Sequence, residues 1–236
     1  MAMRAGDRLA DNLQRTRGAL RRGWYWGADY RWATRAIGRG LLRREAPHGY
    51  AHGWLDPVLL IPGVLEEWTL MRPIGDRLNR AGHPIHVLPE LKRNTITVTE
   101  GAALASAYLI ARDLRDVVIV AHSKGGLVGK QVLLTDDEAR VRRLVTVATP
   151  FSGSGLARLI PSPVVRAMSP DDATILDLAG RGEVNHLITS ICPAFDPHIP
   201  EGSHLEGATN IEVRAMGHFR ILNDPEVLDA VAAAAD

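Results

Sequence analysis

The sequence predicts an α/β fold, a parallel or mostly parallel sheet covered by helices on both faces. Two observations carry the prediction. From Asp56 onward, short apolar runs alternate with longer stretches of helical periodicity, the pattern of strand-helix-strand units. The strongest run, Asp116–Ala121 (DVVIVA), is unbroken apolar sequence after its first residue, as a strand covered on both faces requires. No internal repeat or low-complexity tract interrupts the alternation.

The elements follow in order. Pro57–Ile61 (PVLLI) reads as a buried strand, and Leu65–Ala81 as a helix with Leu70, Ile74 and Leu78 on one face. Pro84–Leu88 is the next strand, and the Ala-rich Thr99–Asp113 the next helix. After Asp116–Ala121 come a helix at Lys124–Leu134 and a strand at Leu144–Ala148. Ile188–Cys192 and Ile211–Ala215 are the weaker strand signals. Pro225–Ala235 closes as a helix with Asp224 as its cap and Pro225 at its first position. The rhythm breaks at 151–185, where Ser152, Gly153, Ser154, Gly155, Pro161, Pro163 and Pro170 accompany no clear strand. This interval reads as an insertion over the carboxyl ends of the strands, the edge at which such sheets bind ligands.

Composition sets the bounds. A chain of 236 residues fits one globular domain with an additional arm. Its 46% hydrophobic content at a net charge of +1 excludes a disordered chain. No apolar run approaches the roughly 20 residues of a membrane-spanning helix. The single Cys forms no intrachain disulfide, and the first 20 residues scatter Arg and Asp where a secretory signal would need an apolar run, so none is expected there. The expected location is cytoplasmic, with peripheral membrane contact as its variant.

The near-neutral sum conceals two halves. Residues 1–50 hold 11 Arg and 4 acids, a net +7, whereas residues 51–236 hold 17 Lys+Arg and 23 acids, a net −6. Trp24, Trp26 and Trp32 lie in the basic part. Trp26, Tyr30, Ala33, Ile37 and Leu41 follow helical spacing, with Arg31, Arg35, Arg39, Arg43 and Arg44 between them, and the helix is expected to stop near Pro47. The favoured reading packs this aromatic stripe on the domain or on a second subunit. A second lays it on an anionic membrane surface. Nucleic acid is disfavoured, because no recognisable binding motif accompanies the charge. Oligomeric state stays open, and the arm offers no catalytic candidate.

The chemistry begins where the best strand runs into Ala121-His122-Ser123-Lys124-Gly125-Gly126 and a helix. This is the setting of a nucleophile elbow, with Ala at the first position of G-x-S-x-G. Small residues on either side let strand and helix approach, and the turn projects the Ser123 hydroxyl into a cleft. A serine needs a base with an orienting carboxylate, in the order Ser, Asp or Glu, His. His218, directly after the last expected strand, is the best-placed base; His198 and His204 are weaker candidates in the preceding loop. Asp196, in a loop after the penultimate strand, is the best-placed acid, whereas Asp171, Asp172 and Asp177 lie in the insertion and Asp224 caps a helix. The backbone N–H groups of Val64, after Gly63, and of Lys124 are candidates for an oxyanion hole. A turn without a ligand role competes for the Gly63 segment.

Taken in order, PVLLIPGV at 57–64, VIVAHSKGG at 118–126, VATPFSGS at 147–154, FDPHIP at 195–200 and MGHFRIL at 216–222 resemble the α/β-hydrolase superfamily, and within it small bacterial lipases and esterases. The resemblance covers about Asp56 to the C-terminus and excludes residues 1–50. It implies a minimal sheet of about six strands, the triad Ser123, Asp196 and His218, an oxyanion hole at Val64 and Lys124, and no metal or cofactor. The implied reaction is two-step acyl transfer on a small-molecule or lipid ester. Within 151–185, Leu156, Leu159 and Ile160 are candidate acyl contacts on a small helical lid; a helical pair packed permanently on the body is the competing reading. A thioesterase, amidase or acyltransferase using the same acyl-serine, or a catalytically silent binding protein, are the alternatives. Lys124 stands where relatives more often carry an apolar residue.

Overall fold

In the computed structural model the described residues are 23, 26–38 and 45–236. Six strands form a single sheet: β1 (Val58–Ile61), β2 (Ile85–Val87), β3 (Val117–His122), β4 (Val141–Val147), β5 (Ile188–Phe195) and β6 (Thr209–Met216). Their order is β2-β1-β3-β4-β5-β6, and every neighbouring pair is parallel. The helices are α1 (residues 26–38), α2 (Arg72–Ala81), α3 (Val98–Ala111), α4 (Lys124–Thr135), α5 (Pro163–Arg166), α6 (Ala173–Gly180) and α7 (Pro225–Ala235).

Period-two alternation along the central strands divides the core into two layers. Val58 and Leu60 of β1 pack with Ile74 and Leu78 of α2 and with Val227 and Val231 of α7. Leu59 and Ile61 face the other way, onto Ala105 and Leu109 of α3 and Leu127 and Val128 of α4. Each Val, Leu and Ile among them contributes about 1.5–3 kcal/mol by leaving water, so the sheet is held from both sides.

The element ends follow local chemistry. Thr97 and Glu100 form a reciprocal capping box that starts α3. The helix expected from Leu65 instead begins at Arg72, after a 3₁₀ turn at Trp68–Met71. Leu65 sits at φ 62°, outside helical geometry, and Pro73, lacking an N–H, belongs in a first turn. Strand β4 begins three residues before the expected Leu144 and takes in Arg142 and Arg143. Both guanidinium groups donate to the last carbonyls of α7, at Ala235 and Asp236 and at Ala234, where a helix terminus favours positive charge.

The arm differs most from expectation. In α1 the buried residues are Asp29, at 0% exposure, and Ala33, with Trp32 and Ala36 packed on the core. Trp26, Tyr30 and Ile37 of the expected inward stripe stay 37–45% exposed. The helix therefore does pack on the domain, with Ala33 of the stripe buried and the Trp26 and Tyr30 rings against His198 and Phe219, but its most buried residue is Asp29, which the stripe leaves out. The physical reason is Asp29: a buried carboxylate must meet donors, and an unmet one costs far more than a half-exposed aromatic. The parts of the arm reading that concern Trp24, Leu41, Arg39, Arg43 and Arg44, and the end of the helix, lie outside the described residues.

Candidate active site

The chain leaves β1 toward β2 on one side and returns to β3 on the other, which opens a crevice at the carboxyl ends of β1 and β3. Ser123 occupies that point. Its backbone lies at φ 52° and ψ −124°, a strained conformation for a residue with a side chain and the one a nucleophile elbow uses. The neighbours permit it: Ala121 is fully buried, and a Cβ on Gly125 would strike the Ile61 carbonyl oxygen. A cap at Thr149 holds the turn from behind, its hydroxyl donating to the Ser123 carbonyl at 3.0 Å.

Ser123, His218 and Asp196 come together from three strand ends. Ser123 Oγ lies 3.0 Å from His218 Nε2, and His218 Nδ1 lies 2.7 Å from Asp196 Oδ2. The other Asp196 oxygen accepts from the N–H groups of His198 and Ile199, at 2.7 and 3.2 Å. The carboxylate is thus fixed on both oxygens and orients the ring. Burial alone opposes charge on either partner. For Asp196 the His218 charge and hydrogen bond and the His198 amide outweigh it and hold the carboxyl below its ordinary range. For His218 the Asp196 charge and hydrogen bond, with the charges of Glu66 and Asp29, outweigh it and raise the imidazole pKa. All three side chains sit in residues no more than 6% exposed.

His198 is not brought to the serine. Its ring lies tilted by 40° against that of His218, with centroids 4.8 Å apart, and burial, then the neighbouring His218 charge, push its pKa down to about 4. His204 and the remaining Asp candidates take no part in these hydrogen bonds.

The candidate oxyanion donors flank the serine. A Cβ on Gly63 would stand 3.0 Å from Ser123 Cβ, so the segment bearing Val64 runs directly beside the nucleophile. Lys124 opens α4, and its N–H has no acceptor within the helix. The Lys124 side chain is buried among the loops of this edge. It is 1% exposed, donates to the Asn94 carbonyl at 3.0 Å and also to that of Ile96, and burial lowers its pKa to about 8. The Asn94 amide in turn donates to the Pro62 carbonyl at 2.7 Å. Lys124 thus ties the start of α4 to the loop before α3, and the Asn94 side chain ties that loop to Pro62.

Sequence reasoning missed a buried network behind the serine. His122 Nε2 faces the His218 carbonyl at 3.0 Å, and a carbonyl only accepts, so that nitrogen donates. His122 Nδ1 meets Glu66 Oε2 at 2.8 Å, and the same oxygen accepts from the Gly63 N–H at 2.9 Å. One ring thus joins the oxyanion segment, the elbow and the base-bearing loop. Glu66, His122 and His218 are close enough together to ligate a metal, yet these donor atoms are already committed to the hydrogen bonds just described. The only sequence signal was His122 beside the serine.

In the insertion, the Ser154 hydroxyl donates to the His198 carbonyl at 2.7 Å and the Gly155 N–H to Glu201 at 2.8 Å. Its first turn is therefore pinned to the acid-bearing loop. Leu159 and Ile160 are 78% and 41% exposed and Leu156 is half-buried, so these three do not form a closed acyl wall. Among the described residues no helix is long and apolar enough to cross a membrane.

No protein-family model matches the sequence. Solved structures do resemble it. The mature form of the Bacillus licheniformis lipase BlEst2 superposes with a TM-score of 0.59 at 13% identity, over 78% of this chain and 92% of that one. A monoacylglycerol lipase from Paleococcus ferrophilus gives 0.54 at 15% identity, over 76% of this chain and 96% of that one. Aspergillus fumigatus lipase B gives 0.63 at 17%, over 81% of this chain and 55% of that longer one. With a six-stranded parallel sheet, a strained serine on its central strand and a hydrogen-bonded histidine and aspartate beside it, this chain has the α/β-hydrolase fold, in an arrangement that fits a serine hydrolase.

Proposed function

We propose that the protein hydrolyses carboxylic esters through an acyl-enzyme on Ser123. The observation that carries this reading is the continuous hydrogen-bonded line Ser123, His218, Asp196, at 3.0 and 2.7 Å. In the first step His218 Nε2 takes the hydroxyl proton as Ser123 Oγ bonds to the ester carbonyl carbon. The negative charge on the carbonyl oxygen is met by the Val64 and Lys124 N–H groups. As the tetrahedral species collapses, the alcohol leaves with the proton from His218. Water, activated by the same histidine, then releases the acid and restores the serine. Asp196 keeps the proton on His218 Nδ1, so that Nε2 is free to act.

A fluorophosphonate probe tests this. One equivalent of label on Ser123, identified by peptide mapping, is the expected result; label on any other residue overturns the assignment. Because only a neutral His218 can take the proton, and its pKa is raised, the labelling rate should climb with pH around a midpoint above the ordinary imidazole value of about 6.5. A midpoint below that value contradicts the base assignment.

A second reading, contact with an anionic membrane surface, is favoured by one observation. Trp26, Tyr30 and Ile37 on α1 remain partly exposed, and Arg31 and Arg35 beside them are exposed. Aromatic rings and basic groups in this arrangement suit a headgroup layer. Each basic residue near such a surface is worth about 1 kcal/mol, about fivefold in binding. Co-sedimentation with vesicles containing phosphatidylglycerol should exceed that with pure phosphatidylcholine, and Arg31→Glu with Arg35→Glu should remove the difference. Equal binding to both vesicles rejects the reading.

A further inference from the structure

The carboxylate of Asp29 is a group the hydrolase reading does not use. It comes from the arm, about 190 residues from the loop it touches in sequence, and is 0% exposed. Its Oδ2 accepts from the N–H of His218 at 3.1 Å, and its Oδ1 from the N–H groups of Phe219 and Arg220 at 3.0 and 2.9 Å. Three successive amides thus converge on one carboxylate, at the start of the 3₁₀ turn Arg220–Asn223. Charge-assisted bonds to amides of this kind are short and about twice as strong as neutral ones. The loop is shaped for it: Gly217 lies at φ 117°, where a Cβ would stand 2.8 Å from Asp29 Oδ1. Around this contact Trp26 and Tyr30 of α1 pack on His198, with ring centroids 4.9 and 5.4 Å apart, and Tyr30 packs on Phe219 at 5.9 Å.

We propose that Asp29 is a positioning residue for the catalytic base, holding the backbone of His218 so that its ring meets Ser123 and Asp196 together. The inference rests on the serine-hydrolase reading. Ring position follows backbone position, and the backbone of residues 217–220 is held from one side by Asp29 and from the other by the His122 bond to the His218 carbonyl. The arm is then part of the catalytic machinery. It completes the reacting geometry without touching substrate.

Asp29→Asn separates positioning from support. The amide oxygen can still accept from Phe219 and Arg220, but its NH2 would point at the His218 N–H, donor to donor, and the negative charge is gone. The groups facing His218 are Asp196 and Ser123 by hydrogen bond, the His122 and His198 rings at 4.7 and 4.8 Å, and the charges of Glu66 and Asp29. Arg220 is turned to the Met216 carbonyl. Removing the Asp29 charge favours the neutral imidazole, so the acid limb of kcat/KM should move to lower pH. Small displacements of a base cost up to about a hundredfold in rate; the expected loss in kcat on a nitrophenyl ester is about tenfold or more, with KM within about twofold. Wild-type kcat overturns the proposal, and so does a fall in kcat with an unmoved acid limb, which would mark a structural role only. Asp29→Ala, assayed with and without added formate, is the second variant, and partial recovery of kcat with formate is expected. Loss of the near-UV circular dichroism signal in both variants also overturns it, since Asp29 would then support the fold rather than the base. Ser123→Ala is the control. If it hydrolyses the ester at the wild-type rate, the hydrolase reading fails whatever Asp29 does, whereas an inactive Ser123→Ala beside a fully active Asp29→Asn fails this inference alone.

Discussion

Ser123→Ala and His218→Ala should each lower kcat on a nitrophenyl ester by about a millionfold, and the double variant should be no worse than either alone. The reason is that the two groups act as one unit. Without the hydroxyl there is no nucleophile for the base to activate, and without the imidazole the hydroxyl keeps its proton. The 3.0 Å contact between Ser123 Oγ and His218 Nε2 is what couples them. Residual activity over the uncatalysed reaction should remain in all three, because the oxyanion hole proposed at the Val64 and Lys124 N–H groups is untouched by these substitutions. Pre-steady-state and long-time-course assays on purified protein measure it. If the two losses add in logarithm, serine and histidine act independently and the acyl-serine scheme is wrong. Ser123→Ala removes a single hydroxyl, so that variant should keep the wild-type circular dichroism spectrum.

Asp196→Asn should cost about ten-thousandfold in kcat. The shape is kept, but an amide in place of the carboxylate can turn its NH2 to His218 and so favour the tautomer with the proton on Nε2, which cannot take the serine proton. The structure adds a particular reason for a large effect. Asp196 Oδ1 is held by the His198 and Ile199 N–H groups, so an asparagine must keep its carbonyl oxygen there and present NH2 to the ring. Escape by flipping would set NH2 against two donors. The acid limb of kcat/KM should also move to lower pH, because the carboxylate's charge and hydrogen bond raise the His218 pKa. A loss of less than about tenfold, with an unmoved limb, would mean that another carboxylate orients the base.

Much of this site is legible in one dimension. The buried strand Val117–His122 leads into Ser123 with small residues around it, a local pattern that needs no knowledge of the rest of the chain. Asp196 and His218 follow from their places after β5 and β6, since loops at the carboxyl ends of parallel strands must meet above the sheet. Element ends are less legible. Leu65 at positive φ and the extra turns of β4 to β6 depend on what each segment packs against.

The arm shows where the pattern fails. Its spacing points to an inward stripe of Trp26, Tyr30, Ala33 and Ile37; Ala33 is buried as that stripe has it, but Trp26, Tyr30 and Ile37 stay 37–45% exposed and the fully buried residue is Asp29. Hydrophobic periodicity weighs apolar area alone, and here three backbone N–H groups in a distant loop decide the rotation of the helix. The bonding of Glu66 and His122 is hidden for the same reason, because it is set by the Gly63 N–H and the His218 carbonyl, backbone groups common to every residue except proline, which lacks the N–H. Lys124 is read by sequence as a polar residue beside the nucleophile, yet its long stem carries the charge to the carbonyls behind the oxyanion segment.

By itself, then, the sequence determined the layered α/β architecture, the strand-to-helix turn with its serine and the places of Asp196 and His218 after the last two strands, because each is written in local periodicity and in the steric demands of single residues. Only the tertiary structure decided which buried groups bond to the backbone around them, Asp29 on the amides of residues 218–220 foremost. Such contacts are hydrogen bonds between a side chain and backbone far apart in the chain, and the backbone leaves no mark in the sequence.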